Sequence, residues 1–414
     1  MHTVDLSTPL TLKCGVTVKN RFFKSAMSEQ LGDRQHNPKP GLQHLYRIWA
    51  EGGAGISVSG NIMIDRNFIG EPGNVVLDKF SDLAAFSRWT AAGKTDNTQF
   101  WAQLNHPGKQ INRHLCSEPV APSAIPLGGG LEKSFNPPRM LTEKEILNII
   151  EQFADCARLC KLVGFSGVQI HAAHGYLVNQ FLSPRHNQRD DRWGGDIYNR
   201  MRFLLDVYQA IRREVGADYP VSIKLNSADF MHGGFSEDES LEVVQALTER
   251  GIDHIEISGG TYESPVMAVG LTRESTRRRE AYFLEFAEKI CTCVDTPLAV
   301  TGGFRSAAGM QRALESGATD FIGIARPMAI YPDLPNHAMA NKEYKIELRR
   351  LTTGFATIDR LALLNIYWYE HQMQRMAKNK KPHPDMSEWR SFIKTFCTSL
   401  CHAGAFKKKR VVEG

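Results

Sequence analysis

The chain has 414 residues, of which 42% are hydrophobic, 23% charged and 9% aromatic. This composition is typical of a globular protein with a large buried core, and it excludes a disordered, collagen-like or disulfide-scaffold chain. The formal net charge is +5, from 50 basic and 45 acidic residues, but the basic run at residues 407–410 holds four of those positive charges. We interpret this run as a solvated tail. The rest of the chain is nearly neutral, which argues against a nucleic-acid or anionic-membrane partner.

The sequence shows no recognisable targeting signal and no disulfide framework. The N-terminus has an early acidic residue, Asp5, and no apolar signal segment, and no uncharged apolar run reaches the roughly 18 residues of a transmembrane helix. We therefore expect a cytoplasmic protein without a membrane partner. Eight cysteines are too few for a disulfide framework. Cys156 with Cys160 and Cys397 with Cys401 have helical spacing but no second ligand pair, which favours free thiols over zinc ligands.

In chain order, the predicted elements repeat a pattern in which an amphipathic helix ends at a glycine and a short apolar strand follows. The pattern occurs at Gly53, Gly164, Gly251 and Gly317. Glycine at this position adopts the left-handed conformation that ends a helix. Two helix starts are also recognisable, because Thr142 with Glu145 and Ser236 with Glu239 fit the capping box.

Eight short apolar segments predict eight strands. They span residues 22–27, 56–59, 98–104, 167–170, 221–225, 254–257, 298–301 and 320–324. Most are continuous apolar runs separated by helices, as expected of parallel strands buried on both faces. Eight such units predict an α/β fold, a (β/α)8 TIM barrel with a C-terminal helical extension. No Gly-x-Gly-x-x-Gly follows an early strand, which argues against a doubly wound dinucleotide-binding sheet.

The strand pattern also predicts the domain organisation. Residues 1–335 form the barrel, with a Pro- and Gly-rich insertion at about residues 115–140 after the third strand. Residues 336–414 form an extension packed on the barrel, and residues 343–376 within it have a helical pattern. The sequence leaves open whether this extension forms a subunit interface, and therefore whether the protein is a homo-oligomer.

Catalytic side chains of a TIM barrel lie at the carboxyl ends of its strands. The fourth predicted strand ends in His171, His174 and Tyr176, three side chains that exchange protons. Neutral imidazoles donate hydrogen bonds to a carbonyl oxygen, and a phenol delivers a proton. A buried core histidine and a His-x-x-His metal site are the alternatives. No further metal ligand is well placed at another strand end, so we expect no metal.

The seventh and eighth predicted strands end in a pattern typical of a phosphate site. Gly302 and Gly303 precede Phe304, and Ala325 with Arg326 follows the next strand. Glycine lets backbone N–H groups approach an anion, and arginine adds a charged fork. A phosphorylated ligand is therefore predicted.

Two further polar side chains lie at the ends of apolar strands. Lys224 interrupts the fifth strand, where a buried ammonium requires an anion or an electron-rich ligand. It would contact a cofactor or, with a lowered pKa, form a Schiff base. Gln103 ends the third strand, and its amide makes two-way hydrogen bonds to a heteroaromatic edge.

At these residues the sequence resembles the Old Yellow Enzyme family of FMN-dependent ene-reductases, also described as NADH:flavin oxidoreductases. The resemblance covers about residues 5–335 and is carried by residues 20–28, 103–109 and 171–195, and by Gly302, Gly303, Ala325 and Arg326. It implies a TIM barrel that binds FMN non-covalently, takes hydride from NAD(P)H and reduces the C=C bond of an α,β-unsaturated carbonyl compound, a small-molecule substrate.

The resemblance also implies a role for each position. The cofactor-binding residues would be Ser25, Ala26, Met27 and Ser28 along the flavin, Gln103 and Lys224 at its pyrimidine edge, and Gly302, Gly303, Phe304, Ala325 and Arg326 at the phosphate. His171 and His174 would bind the substrate carbonyl, and Tyr176 would protonate the α-carbon.

The sequence departs from common family patterns at three positions. Lys224 stands where many members have arginine, Ser28 where threonine or cysteine is frequent, and Ala325 where glycine is frequent. The iron–sulfur relatives are excluded, because only Cys397 and Cys401 lie after the barrel. A flavin-dependent amine oxidase, a quinone or nitro reductase and a Schiff-base aldolase using Lys224 remain as alternatives. The physiological substrate and the choice between NADH and NADPH stay open.

Overall fold

A computed structural model describes residues 4–264, 280, 283–355, 359 and 364–394. Its centre is a closed barrel of parallel strands, numbered β1 to β8 in chain order: Phe22–Lys24, Ile56–Met63, Gln99–Asn105, Gly167–Ala172, Val221–Asn226, His254–Ser258, Leu298–Thr301 and Phe321–Ile324. Each strand pairs in parallel with its neighbour, and β1 pairs with both β2 and β8, which closes the barrel. The predicted (β/α)8 TIM barrel is confirmed.

Helices cover the outside of the barrel. Those of the described residues are α1 Pro40–Glu51, α2 Leu83–Gly93, α3 Glu143–Leu162, α4 Leu177–Leu182, α5 Ile197–Arg200, α6 Arg202–Val215, α7 Glu237–Glu249, α8 Leu284–Cys291, α9 Ala307–Glu315, α10 Leu334–Ala340 and α11 Leu364–Met376. Two single 3₁₀ turns, Thr95–Asn97 and Arg326–Ala329, precede β3 and follow β8. Residues 388–394 are also helical.

The helix ends form as the sequence predicts. Both capping boxes are present, with Thr142 and Ser236 each accepting a backbone N–H of the first turn. The four glycines that end the repeated helices have φ angles of 95°, 96°, 79° and 71°. All four values lie in the left-handed region, where a side chain would be strained. These local signals position each helix directly before its strand.

Aromatic side chains fill the inside of the barrel at the amino-terminal end of its strands. The rings of Phe23 and His254 stack with centroids 4.9 Å apart, and the ring of Trp101 meets His254 at 5.4 Å. A hairpin of Leu10–Thr11 and Thr17–Val18 packs against this layer. The barrel is therefore closed at this end, and polar residues further along the strands face the opposite end.

Two loops at the carboxyl ends of the barrel strands contain short strands. Val75–Val76 pairs with the end of β2, and Val120–Ala121 pairs in parallel with Arg139–Met140. Both strands of the second pair lie within the predicted insertion at about residues 115–140.

The predicted helix over residues 343–376 is wrong in its first part, because residues 343–355 are not helical and α11 begins at Leu364. The backbone of this part is bonded to the loop after β7. Ala307 N donates to the Tyr344 carbonyl at 2.9 Å, and Ile346 N donates to the Arg305 carbonyl at 2.7 Å. A helix needs the same groups for its own hydrogen bonds, so contact with the barrel overrides the helical pattern.

The remaining sequence-based expectations concern membranes and cysteines. Within the ranges that the structure describes, no helix is long and apolar enough to span a bilayer. Cys156 and Cys160 are buried free thiols, as predicted. Cys397, Cys401 and the basic run at residues 407–410 lie outside the described residues.

Candidate active site

A cavity of about 240 Å³ opens at the carboxyl ends of the barrel strands. Its wall includes these residues predicted from the sequence: Ala26, Met27, Ser28, Gln103, His171, His174, Tyr176, Lys224, Ala325 and Arg326. It also includes residues that the sequence reasoning missed, among them Asn61, Glu71, Tyr262, Thr301, Tyr369 and Glu370. The topology therefore brings side chains that are distant in the chain into one site.

A buried ion pair forms the floor of this cavity. Lys224 of β5 lies directly across the sheet from Glu256 of β6, with Nζ 3.0 Å from Oε1. Burial raises the pKa of Glu256, but Lys224 and the Thr301 hydroxyl outweigh burial, so this pKa lies below the ordinary value of 4.5. The protein thus supplies the anion that a lysine inside an apolar strand requires.

A hydrogen-bond network extends from Glu256 to both sides. Thr301 Oγ1 donates to Glu256 Oε1 at 2.7 Å, and the Ser25 hydroxyl lies 2.8 Å from Thr301 Oγ1, behind the cavity wall. On the other side, Gln169 Nε2 donates to Glu256 Oε2 at 3.0 Å, and Gln103 Nε2 donates to Gln169 Oε1 at 2.8 Å. Gln169 and Glu256 were missed, although each is a polar residue inside an apolar strand, the same signal that identified Lys224.

The two histidines at the end of β4 are close to each other and uncharged. Their ring centroids lie 5.3 Å apart. Burial, with Lys224 nearby, lowers the pKa of both His171 and His174 well below the ordinary 6.5. His171 Nδ1 accepts the backbone N–H of Ala173 at 3.3 Å, which places the ring proton on Nε2.

His174 is held in an unusual backbone conformation. Its φ is +62°, a left-handed value that is uncommon outside glycine. Asn226 Oδ1 accepts its N–H at 3.2 Å, Gln110 Nε2 donates to its carbonyl at 3.0 Å, and its ring Nε2 lies 2.8 Å from Ser258 Oγ. The ends of β5 and β6 and the loop that holds Gln110 thus fix the backbone and the ring of His174, as is common for strained residues at functional sites.

Tyr176 presents a protonated phenol beside these imidazoles. Its ring centroid lies 4.8 Å from that of His171, and its hydroxyl is 3.1 Å from the hydroxyl of Tyr262. Burial, and then the charge of Glu71, raise the pKa of Tyr176 to about 12. The phenol therefore carries its proton across the neutral range.

A smaller cavity of about 40 Å³ lies between the ends of β7 and β8. Gly302, Gly303 and Phe304 line one side, and Ala325 and Arg326 line the other. The two glycines have φ angles of 108° and 101°, so the chain turns tightly and leaves its backbone open to the cavity. This arrangement suits a phosphate, and the phosphate site stays a prediction.

Two carboxyl groups, Glu71 and Glu370, form part of the cavity wall near Tyr176, and we call this pair the acidic wall. Ser28 Oγ donates to Glu71 Oε2, and Gln30 Nε2 donates to Glu370 Oε2 at 2.8 Å. Burial raises the pKa of both carboxyls above the ordinary 4.5, and nearby negative charges add to this, Glu29 for Glu71 and both Glu71 and Glu29 for Glu370. The sequence reasoning missed both, because neither follows an apolar strand directly.

A parallel barrel with a small cavity lined by glycine and arginine after β7 and β8, next to a larger cavity, is typical of barrel enzymes that bind a phosphorylated ligand. The sequence model of the NADH:flavin oxidoreductase / NADH oxidase family matches residues 5–345. The chain belongs to this family. Within the described residues, no group of three or more His, Cys, Asp or Glu side chains is arranged to hold a metal ion.

Individual relatives agree with this assignment. The chain is 38% identical over 367 residues to the NADH-dependent flavin oxidoreductase iliE of Hypocrea jecorina (strain QM6a), which covers 83% of this chain and 91% of that protein. A solved 2-naphthoyl-CoA reductase complex has a TM-score of 0.75 at 28% identity, and the match spans 81% of this chain but about half, 52%, of that one. An old yellow enzyme homologue from Zymomonas mobilis shares the fold, with a TM-score of 0.70 at 24% identity over 82% of this chain and 94% of that one.

The predicted resemblance to the Old Yellow Enzyme family is confirmed, and the chain is a flavin oxidoreductase of the type that uses FMN and NAD(P)H. The residues present fit FMN. Arg326 and the open backbone of Gly303 suit a phosphate, while Lys224 and the amide of Gln103, both at the cavity wall, suit the polar edge of the ring. The Lys224–Glu256 ion pair also argues against the aldolase alternative, since a Schiff base forms from an uncharged amine.

Proposed function

We propose that this enzyme reduces the activated C=C bonds of α,β-unsaturated carbonyl compounds with electrons from NAD(P)H. The observation that carries the proposal is the convergence of two neutral imidazoles and one protonated phenol, His171, His174 and Tyr176, on the same cavity. Neutral donors next to an acid suit a substrate whose carbonyl oxygen gains negative charge while its α-carbon receives a proton.

The histidines would hold the carbonyl oxygen of the substrate. His171 donates from Nε2–H, because its Nδ1 accepts the Ala173 N–H. His174 donates from Nδ1–H when its Nε2 accepts the Ser258 hydroxyl. Two donors fixed before the substrate arrives stabilise the developing enolate, and each such donor contributes about 10²–10³ in rate.

Tyr176 would then transfer its phenolic proton to the α-carbon. Its raised pKa keeps the proton in place until a carbanion-like centre of comparable basicity appears. Tyr262, at 3.1 Å, stabilises the tyrosinate by a hydrogen bond until solvent returns the proton.

The cofactor side of the cavity would hold FMN through the residues that the resemblance implied. The chemistry that bound FMN would supply is hydride transfer from NAD(P)H to the β-carbon of the substrate. Lys224 and Gln103 would bind the pyrimidine edge, where a cation favours the charge gained on reduction. Ala26, Met27 and Ser28 would line the ring, and Gly303 with Arg326 would bind the phosphate.

We also propose that residues 1–335 act as the FMN-binding domain and that residues 336–414 complete the site from outside. The support is α11 of the extension, whose Asn365, Tyr369 and Glu370 line the cavity. A cytoplasmic location and a homo-oligomer stay predictions.

A spectroscopic experiment tests the function. The purified protein should show flavin absorbance, NADH or NADPH should bleach it without oxygen, and cyclohexenone should restore it while cyclohexanone should not. A protein that neither contains nor takes up FMN contradicts the proposal. Bleaching by a simple amine without nicotinamide supports the amine-oxidising alternative instead, and reoxidation only by quinones or nitro compounds supports a quinone or nitro reductase.

A further inference from the structure

The acidic wall has no task in the reaction proposed above. Glu71 lies in the loop after β2, Glu370 lies on α11, and both carboxyls line the cavity. The side chain of Glu370 is almost entirely buried, with 2% of its surface exposed. Two carboxyls in such a place are unfavourable unless donors or a cation compensate them.

Hydrogen bonds within the described chain compensate them only in part. Oε2 of Glu71 accepts from Ser28, and Oε2 of Glu370 accepts from Gln30. Oε1 of Glu370 is buried and has no hydrogen-bond partner among the described residues. An unsatisfied buried acceptor costs about 1–3 kcal/mol, so a ligand that brings a donor to this oxygen gains binding energy.

The charges that act on the acidic wall are mainly negative. Burial raises the pKa of both carboxyls, the charge of Glu29 raises that of Glu71 further, and the charges of Glu71 and Glu29 raise that of Glu370 further. The charge of Lys394 attracts Glu370, but the Lys394 ammonium itself is bonded to Gln374 Oε1 at 2.9 Å. A cation placed between the two carboxyls would relieve this repulsion directly.

Aromatic rings surround the same region. Burial and, in addition, the charge of Glu71 raise the pKa of Tyr176, Tyr262 and Tyr367, which places all three phenols close to this carboxyl. Carboxylates combined with aromatic faces are the groups that bind ammonium ions in proteins.

We propose that the acidic wall binds the ammonium group of the substrate, so that the enzyme acts on enones that carry a protonated amine. This inference rests on the proposed function for the enone part. Oε1 of Glu370 accepts the ammonium N–H, Glu71 supplies a second carboxylate, and the phenol rings pack against the substituents of the nitrogen. The carbonyl at the other end of the substrate stays with His171 and His174.

The position of the cations in the cavity supports the same orientation. Lys224 is paired with Glu256 on the floor, and Arg326 lies at the phosphate cavity. Both belong to the cofactor side, where the anionic phosphate of FMN is expected. The acidic wall is on the Tyr176 side, so the cavity separates an anion-binding half from a cation-binding half.

A pair of matched ligands tests the proposal. One is a cyclic enone with a dimethylaminomethyl substituent, which is protonated at neutral pH, and the other is the same enone with an isobutyl substituent of equal shape. Calorimetric titration of the full-length protein as purified, without nicotinamide, measures both dissociation constants. We expect the ammonium enone to bind at least tenfold more tightly.

Variants test which residues cause the preference for the ammonium enone. Glu370→Gln and Glu71→Gln should each reduce the preference to threefold or less through weaker binding of the ammonium enone, while the isobutyl enone keeps its affinity. Glu343→Gln, at an exposed glutamate outside the cavity, should retain the full preference. The unchanged isobutyl affinity shows in the same titrations that each variant is folded.

Equal affinity of the wild-type protein for the two ligands overturns the proposal, as does a preference that survives in both cavity variants. The proposed function is tested separately. A flavoprotein that is reoxidised by neutral enones but shows no ammonium preference retains the function and loses this inference. A protein without FMN that still prefers the ammonium ligand loses the function and retains the ammonium site.

Discussion

The two halves of the cavity wall differ in how far their buried charges are compensated. On the cofactor side, Lys224 and Glu256 are paired at 3.0 Å, and Thr301 and Gln169 complete the hydrogen bonds of the carboxylate. On the Tyr176 side, the carboxyls of Glu71 and Glu370 line the cavity, and one buried oxygen of Glu370 has no hydrogen-bond partner within the described chain.

The difference in hydrogen bonding indicates that the cofactor side stabilises the fold and that the Tyr176 side binds a ligand. A network whose members are all satisfied is rigid and stabilises the fold, whereas a partly satisfied one loses stability that a bound group can restore. Substitutions on the cofactor side should therefore change stability, and substitutions on the Tyr176 side should change reaction and binding with little loss of stability.

The largest effect is expected for Tyr176→Phe. Loss of the phenolic proton should slow enone reduction by about 10²–10⁴, the usual contribution of a positioned general acid. The rate at which NADH bleaches the flavin should change by less than about threefold, since no proton from Tyr176 enters that step. Stopped-flow measurement of the two half-reactions checks this, and an equal loss in both would contradict the role of proton donor.

The next largest effect is expected for Lys224→Met. It leaves Glu256 buried without its cation, and breaking a buried pair costs about 3–5 kcal/mol. Urea unfolding monitored by circular dichroism measures the loss. The double variant Lys224→Met, Glu256→Gln should recover most of it, because the uncompensated charge is removed. A loss below about 1 kcal/mol in the single variant would show that the buried Lys224–Glu256 pair does not stabilise the fold as we describe.

Glu370→Gln should have a smaller effect, opposite in sign. The pKa of Glu370 is raised in the folded protein, so the stability that its protonated form contributes is complete below pH 4.5, its ordinary pKa, and is lost as the pH rises above it. The variant lacks this loss and should be more stable than the wild type at pH 8, on the order of 1 kcal/mol. Unfolding curves at pH 5 and pH 8 check this, and a difference that does not grow with pH would count against a raised pKa of Glu370 in the folded protein.

The smallest effect is expected at an exposed ion pair, which calibrates the comparison. Lys289 Nζ lies 2.8 Å from Glu237 Oε2, a shorter distance than in the buried pair, but both side chains are exposed. Lys289→Met should change the free energy of unfolding by less than about 1 kcal/mol, because water screens the pair. A loss as large as that of Lys224→Met in the same assay would mean that burial does not determine how much an ion pair contributes to the free energy of unfolding.

Sequence reasoning was most successful where a local pattern had one physical reading. Glycine after an amphipathic helix and an apolar run after the glycine predicted four strands of the barrel, apolar runs alone predicted the other four, and the capping boxes predicted two helix starts. The helical pattern of residues 343–355 was misleading, because their backbone bonds to the loop after β7. The residues missed in the site, Glu71 and Glu370, come from a loop and from the C-terminal extension.

The sequence by itself determined the barrel, the family and the set of side chains at the strand ends, since periodicity and motif spacing are local properties of the chain. Only the tertiary structure decided how the charges are paired. Strand register places Glu256 beside Lys224, and the packing of α11 on the barrel brings Glu370 to the same cavity as Glu71. Burial and distance determine whether a charge is compensated, and neither can be read from one position in the chain.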